Sequence, residues 1–525
     1  MTASTKAPNW GSLRKLFWPI HRNEYRKFIP MLLIYSLIVF NYSILKAAKD
    51  ALLITAPGSG ANAIPYIKVW AIFPMALLST LIFTRLSNKY SRDQVFNIMM
   101  VGFLGFFFLF GFILYPMREI LHPHVLADQL QHHLPEGLHG LIAIFRNWTF
   151  TMFYVMCELW GTIIMTVLFW GFANEVTSVN EAKRFYAILG VGANLGTIFA
   201  ARVGIFLSGE YLFSRFSFGS DRWEQSLMLT TTMILIAGLT AMWLYRKLST
   251  NVQHREAFAE PGPQSNEPEV IKMGLRKNFA YLAKSKYLLC IAVIVITYNL
   301  CLNMIEVVWK DQVHQIYHYA ADYNIYMNKV LGYIGILSTI FAVFICGQVI
   351  RRFGWTKSAY LTPIVMLLTG GCFFMLTIFR EIGFIGSISA LLGTTPIILA
   401  TFFGSMQNCF ARASKFTFFD VTKEMAFIPL SKECKLKGKA AIDGVGSRLG
   451  KSGGSLVYQC LLIFFGTISL STPYVAGIFL FVIVAWLLAV KSLGKQFNEL
   501  SASKEKLTIP DKKESPRLKE NPALS

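Results

Sequence analysis

AILGVGANLG at residues 187–196 and AIDGVGSRLG at residues 441–450 agree at seven of ten positions. Each string opens the fifth long apolar run of its half of the chain. Their small residues lie three or four apart, a spacing that lets helices approach closely in lipid. Helix-packing composition could produce one such likeness by chance. The matching place in both halves makes internal duplication the better account, and parallel repeats of this kind build many two-lobed membrane proteins.

Outward from these strings, apolar runs fall near 29–47, 65–83, 95–115, 146–172, 186–207 and 226–245, then near 287–306, 330–349, 358–378, 384–403, 441–465 and 473–491. A spanning helix needs roughly 20 mainly apolar residues, so about twelve spans are expected. The tenth run could continue towards Phe419. Composition agrees. Of 525 residues 54% are hydrophobic, 44 are Phe, and only 15% are charged, against about 25% charged in an ordinary globular protein. Mean hydropathy is +0.48. A soluble fold has nowhere to hide that much apolar surface. The fold class is therefore an all-α polytopic membrane protein with two six-helix lobes.

The net charge of +21 raises nucleic acid as a partner, but the placement of the charges gives a simpler account. With the N-terminus inside, 37 Lys and Arg fall in inner segments and seven in outer ones. By the positive-inside rule both ends are expected in the cytoplasm, and nucleic acid is not expected as a partner. Residues 1–28 form a basic N-terminal arm, 29–245 the first lobe, 246–286 a cytoplasmic linker with PGPQ at 261–264, 287–491 the second lobe, and 492–525 a disordered basic tail. The arm shows no cleavage site, so no cleavable signal is expected. The eight Cys include no CxxC pair and sit mostly in apolar runs, which argues against zinc or a disulfide framework. The outer segment 116–140 carries His122, His124, His132, His133 and His139. A metal could bind there, but exposed loop histidines are the commoner outcome, and no metal is expected.

Charges inside spans cost roughly 2.5–3.5 kcal/mol each on insertion scales, so by default they face a wet cavity and act. The first span ends in NYSILKAAKD, which supplies Lys46, Lys49 and Asp50. The fourth holds Glu158, and the seventh ends with Glu306, Lys310 and Asp311. The eleventh holds Asp443, Arg448 and Lys451, preceded by Lys437 and Lys439. Lys49-Asp50 and Lys310-Asp311 close the first span of each half, which reads as equivalent cationic positions around one central path. Such a path suits a polyanion bearing phosphates. Glu158 and Glu306 would hold countercharge, select a base or ribose donor, or carry a proton. The plainer alternative is that each acid pairs with a nearby Lys or Arg for structure alone. Lys68 and Arg146, near span ends, read as snorkelling anchors.

GKSGG at 450–454 suggests a phosphate loop, but GxxxxGK[ST] needs Gly where Val445 stands. The GVG at 190–192 lacks the strand–helix context of a dinucleotide site. There is no HExxH or DDxxD, no filter-like repeat and no Walker pair. An enzyme, a channel and an energy-coupling ATPase are therefore disfavoured.

The strings KDALLITAPGSGANAIPYIKVW (49–70), RNWTFTMFYVMCELWG (146–161) and LFWGFANEVTSVNEAKRFYAILGVGANLG (168–196) are long and specific. So are MIEVVWKDQV (304–313), KEMAFIPL (423–430) and KGKAAIDGVGSRLGKSGG (437–454). Together the chain resembles, from about residue 10 to 495, the ATP/ADP translocase family of nucleotide transporters of plastids and intracellular bacteria. The resemblance implies a major-facilitator-like carrier in the bacterial inner membrane that exchanges ATP for ADP without a cofactor. Some relatives import nucleotides with protons. The family's important charges fall on Lys49, Glu158, Glu306 and a Lys of the KGKAAID segment, Lys439. With Lys46, Asp50, Asn174, Glu175, Lys310, Lys437, Asp443, Arg448 and Lys451 they make the candidate substrate-binding set. Where the family commonly reads LRDTKD, this chain has LKAAKD at 45–50. An Arg fork and an Asp are replaced by Lys46 and Ala47, so a range extending to GTP, CTP or UTP is expected. The alternatives are proton-coupled net uptake of nucleotides other than the ATP/ADP pair, or a carrier of another phosphorylated or carboxylated anion.

Overall fold

The computed structural model describes residues 20–216, 218–256, 285–430, 438, 442 and 446–508. The linker core, most of the N-terminal arm, the end of the tail, and Lys437, Lys439 and Asp443 lie outside the described residues, as does the side chain of Arg448.

In lipid every backbone N–H and C=O must be satisfied within the segment, so apolar runs become helices. Among the described residues ten helices are long and apolar enough to cross a membrane. They are α1 Arg22–Ile54, α2 Ala63–Lys89, α3 Arg92–Leu114, α4 Trp148–Val176, α5 Arg184–Leu207 and α6 Arg222–Thr250 in the first lobe. The second lobe completes the ten with α7 Lys286–Ile316, α8 Ala320–Ile345, α9 Arg352–Ile378 and α12 Ile468–Leu500, and between α9 and α12 adds α10 Pro396–Ala426 and the shorter apolar α11 Leu449–Phe465. The tenth expected run is broken: Gly383–Leu391 meets α10 at 80°. Helix α10 starts at Pro396, and its fixed φ suits a first helical turn. It continues well past the expected boundary at 403. Leu81, Phe199, Leu239, Phe402 and Phe481 stand exposed on the outside of the bundle, as lipid-facing helices require.

The repeated strings do what their glycines allow. A Cβ on Gly196 of α5 would lie 2.8 Å from the Ser36 carbonyl of α1, and a Cβ on Gly450 of α11 would lie 2.8 Å from the Ile296 carbonyl of α7. Each lobe thus packs its fifth helix on its first through a glycine against backbone. Gly196→Val is expected to lower the amount of folded carrier and its thermal midpoint in detergent. Gly190→Val, where nothing lies within 4 Å, should leave both near wild type.

The lobes meet at the end remote from the termini. Gly204 lies against Asn328, Gly335 against Ile198, and Asn324 donates to Ser208 at 2.9 Å. Arg222 pairs with Asp322, and Gln459 donates to the Pro65 carbonyl at 2.9 Å. The segment between α3 and α4 covers this end. Its Gly137 abuts the Leu462–Ile463 backbone and accepts from the Tyr66 hydroxyl at 2.5 Å. Arg146 is buried there, paired with Asp128 at 2.5 Å and donating to Gln131 at 3.0 Å. It is a structural tie rather than the snorkelling anchor expected. Among the described residues no group of three His, Cys, Asp or Glu is placed to hold a metal ion. His122 meets Thr149 at 2.7 Å, and burial, with His124 beside it, pushes its ring down to about 4.

Candidate functional site

A ladder of alternating charge crosses the middle of the bundle. Glu158 on α4 pairs with Lys49 on α1 at 3.1 Å, and Lys49 with Asp50 at 3.0 Å. The other oxygen of Asp50 meets Lys310 on α7 at 2.8 Å, so this step joins the two lobes. Lys310 then pairs with Glu306 at 2.9 Å, and Glu306 with Arg412 on α10 at 3.3 Å. The Lys49 ammonium also sits 3.6 Å above the Tyr154 ring centre. The three cations and three anions cancel. Single buried charges would be costly here, and the alternation gives each one a partner of opposite sign.

Exposure divides the ladder into two parts. The side chains of Lys49, Asp50 and Lys310 are 3%, 0% and 2% exposed, whereas Glu158 is 33% exposed. The centre is therefore sealed protein, and the ends reach a cleft.

Three more lysines surround that cleft. Lys46 on α1 lies within electrostatic reach of Arg412, Glu306 and Lys310, and Lys68 on α2 of Glu306, Lys310 and Glu158. Lys451 on α11 is exposed and within reach of Glu158 and Arg412. Among the described residues no carboxylate stands within ion-pair distance of these three. Lys68 instead donates to Asn303 of α7, whose amide donates to the Lys451 carbonyl at 3.2 Å and to Ser455 at 2.9 Å. Lys68 thus points into the bundle and across to the other lobe, which corrects its reading as an anchor.

Three of the contributing helices widen into π turns beside their charge: α2 at Ile67–Ile72, α4 at Trp160–Phe169 and α10 at Lys415–Phe419. Such bulges re-aim side chains and are frequent at functional sites. Among the described residues π turns also occur at Phe110–Leu114 and Phe341–Ile345, which carry no charge.

The structure brings together Lys46, Lys49, Asp50, Glu158, Glu306, Lys310 and Lys451 of the expected set. Asn174 and Glu175 stand apart. Asn174 accepts from the Tyr186 hydroxyl at 2.6 Å, and Glu175 pairs with Arg92 at the termini end of α4. Seventeen residues of helix separate them from Glu158, roughly 25 Å, so they brace the lobe's end and do not line the cleft. Arg412 was missed because it was counted with the inner segment 404–440 rather than with the tenth span.

Two lobes around a cleft lined by cations from both sides define a major-facilitator-like membrane carrier. Two solved structures share the fold. One is a bacterial homologue of the iron transporter ferroportin in an inward-facing state, with a TM-score of 0.53 at 14% identity over 89% of this chain and 98% of that one. The other is a D-xylose–proton symporter, with a TM-score of 0.50 at 14% identity over 89% and 97%. Sequence goes further. Residues 3–497 match the TLC ATP/ADP transporter family. ADP,ATP carrier protein 1 of Chlamydia pneumoniae is 45% identical over 96% of this chain and 98% of that protein. The chloroplastic ADP,ATP carrier protein 1 of Arabidopsis thaliana is 40% identical over 91% of this chain and 75% of that protein. The chain belongs to the TLC ATP/ADP transporter family. It is a multi-pass membrane transporter, not an enzyme.

Proposed function

We propose that this protein exchanges ATP for ADP across a bacterial inner membrane, with both termini in the cytoplasm and the outer helices facing lipid. The observation that carries the reading is the surplus of positive charge in one cleft. The ladder is neutral, so Lys46 and Lys68 of the first lobe and Lys451 of the second remain uncompensated. A di- or triphosphate supplies the missing charge. Before it arrives, like charges on facing lobes oppose closure of the cleft, and the bridging anion removes that opposition. A carrier that closes only when loaded exchanges one nucleotide for another and leaks little.

Range is the second part of the proposal. Lys46 is partly exposed beside Glu306 and Arg412, whereas Ala47 is fully buried against protein. The substrate therefore meets the change at 46 and not the one at 47. A point charge in place of a planar fork keeps phosphate attraction and loses orientation. Several nucleotides are expected to be accepted, GTP, CTP and UTP among them. The test is uptake of labelled ATP by bacteria expressing the protein, with excess unlabelled ADP, GTP, CTP and UTP as competitors. Competition by ADP and by at least one other triphosphate supports both parts. Competition by ADP alone removes the broadened range, and no ATP uptake removes the proposal. In the same assay Lys68→Ala should raise KM for ATP roughly tenfold, the scale of one charge-assisted contact. An unchanged KM would take Lys68 out of the phosphate path.

A further inference from the structure

The packing of each lobe fixes how the two superpose. The register that sets Ser36 on Ile296 and Gly196 on Gly450 is given by the two glycine–carbonyl contacts. A second pair of contacts repeats it. Ser43 meets Thr197 at 3.0 Å in one lobe, and Asn303 donates to the Lys451 carbonyl at 3.2 Å in the other. In this register Lys46 superposes on Glu306 and Asp50 on Lys310. The equivalence of Lys49-Asp50 with Lys310-Asp311, expected from their place at the span ends, is therefore one residue out.

The corrected register has a physical consequence. Helices α1 and α7 each carry two charges four residues apart, at the same height and with inverted signs. Helices related by an axis along the membrane normal present equivalent positions to each other. Identical charges there would repel, and inverted ones attract. One such meeting is made: Asp50 and Lys310 stand 2.8 Å apart across the lobes. One turn nearer the termini, the second is not made. Glu306 holds Lys310 and Arg412 instead, and Lys46 stands in the cleft.

We propose that α1 and α7 form a two-rung charge zipper whose rungs exchange as access alternates. Asp50–Lys310 closes the face remote from the termini, and Lys46–Glu306 closes the termini face in the opposite state. The exchange strands no buried charge. When Asp50 and Lys310 part, Asp50 keeps Lys49 at 3.0 Å and Lys310 keeps Glu306 at 2.9 Å. A buried pair that lacked such second partners would lock the carrier, because separated charges in a dry interior are costly. These four residues act in this proposal as positioning residues between the lobes, and it rests on the exchange reading above.

The test reports which face is open. Ala56 lines the cavity of about 680 Å³ at the remote end. Ala56→Cys, in a background freed of its own eight cysteines, is reconstituted in vesicles with ADP on both sides and labelled with an impermeant maleimide. Asp50→Asn removes the remote rung and should raise the labelling rate about fivefold or more. Lys46→Gln removes the other rung and should lower it by a similar factor. Asp50→Glu and Lys46→Arg keep the charges and should label as wild type. A loss of phosphate binding alone moves both neutral variants in one direction or in neither. Either result overturns the zipper, as would charge-retaining variants that shift like the neutral ones. Counter-exchange by the unsubstituted carrier is measured in the same vesicles. Its absence would sink the exchange reading, whereas exchange without opposed shifts sinks the zipper alone.

Discussion

Lys310→Met is expected to reduce exchange by roughly a hundredfold or more while the protein still inserts. The side chain is 2% exposed and pairs with Asp50 at 2.8 Å and with Glu306 at 2.9 Å. Methionine keeps much of the volume and none of the charge. The ladder then carries one net negative charge in a place water barely reaches. Removing one member of a buried pair typically costs ~3–5 kcal/mol, and each 1.4 kcal/mol is tenfold. The excess negative charge also repels the phosphates it is meant to pass. Labelled ATP uptake into vesicles, normalised to carrier content, measures the loss. Uptake within about threefold of wild type would show that the ladder's centre is not needed.

Glu306→Gln is expected to do the opposite to binding and the same to turnover. Glu306 is held by Lys310 at 2.9 Å and Arg412 at 3.3 Å, and its side chain is 14% exposed. Losing the acid frees two cations beside the cleft, so nucleotide should bind more tightly and KM should fall. Those cations then repel each other and hold the anion too well, so the maximal rate should drop by about a hundredfold. Because the acid serves by pairing, exchange and net accumulation should weaken alike, and wild-type uptake should be indifferent to a protonophore. A variant that loses only accumulation, together with protonophore-sensitive wild-type uptake, would make Glu306 a proton carrier instead.

How much of this was legible in the sequence depended on where a charge lay within its apolar run. Glu158 stood out because hydrophobic residues flank it on both sides, and Lys49, Glu306 and Lys310 because charges cluster where the first and seventh spans end. The family's important charges include three of the four, Lys49, Glu158 and Glu306. Lys68 and Arg412 sit at the edges of runs, where a charge also reads as an interfacial anchor or a loop. Only the inward turn of α2 and the extension of α10 to Ala426 place them at the cleft. Asn174 and Glu175 belong to a family string but to the far end of α4, because a linear motif does not tell which end of a helix meets the substrate. The duplication was visible as a glycine pattern. Its register was not, because span ends are soft boundaries, whereas a glycine against a carbonyl fixes the alignment to one residue.

The measurement that bears most directly on the whole account is counter-exchange by the purified carrier. Vesicles containing it are preloaded with ADP or left empty, and uptake of labelled ATP is followed together with release of ADP. The account predicts rapid uptake only into preloaded vesicles, with one ADP leaving for each ATP that enters. Equal uptake into empty vesicles, or uptake without ADP release, would contradict it.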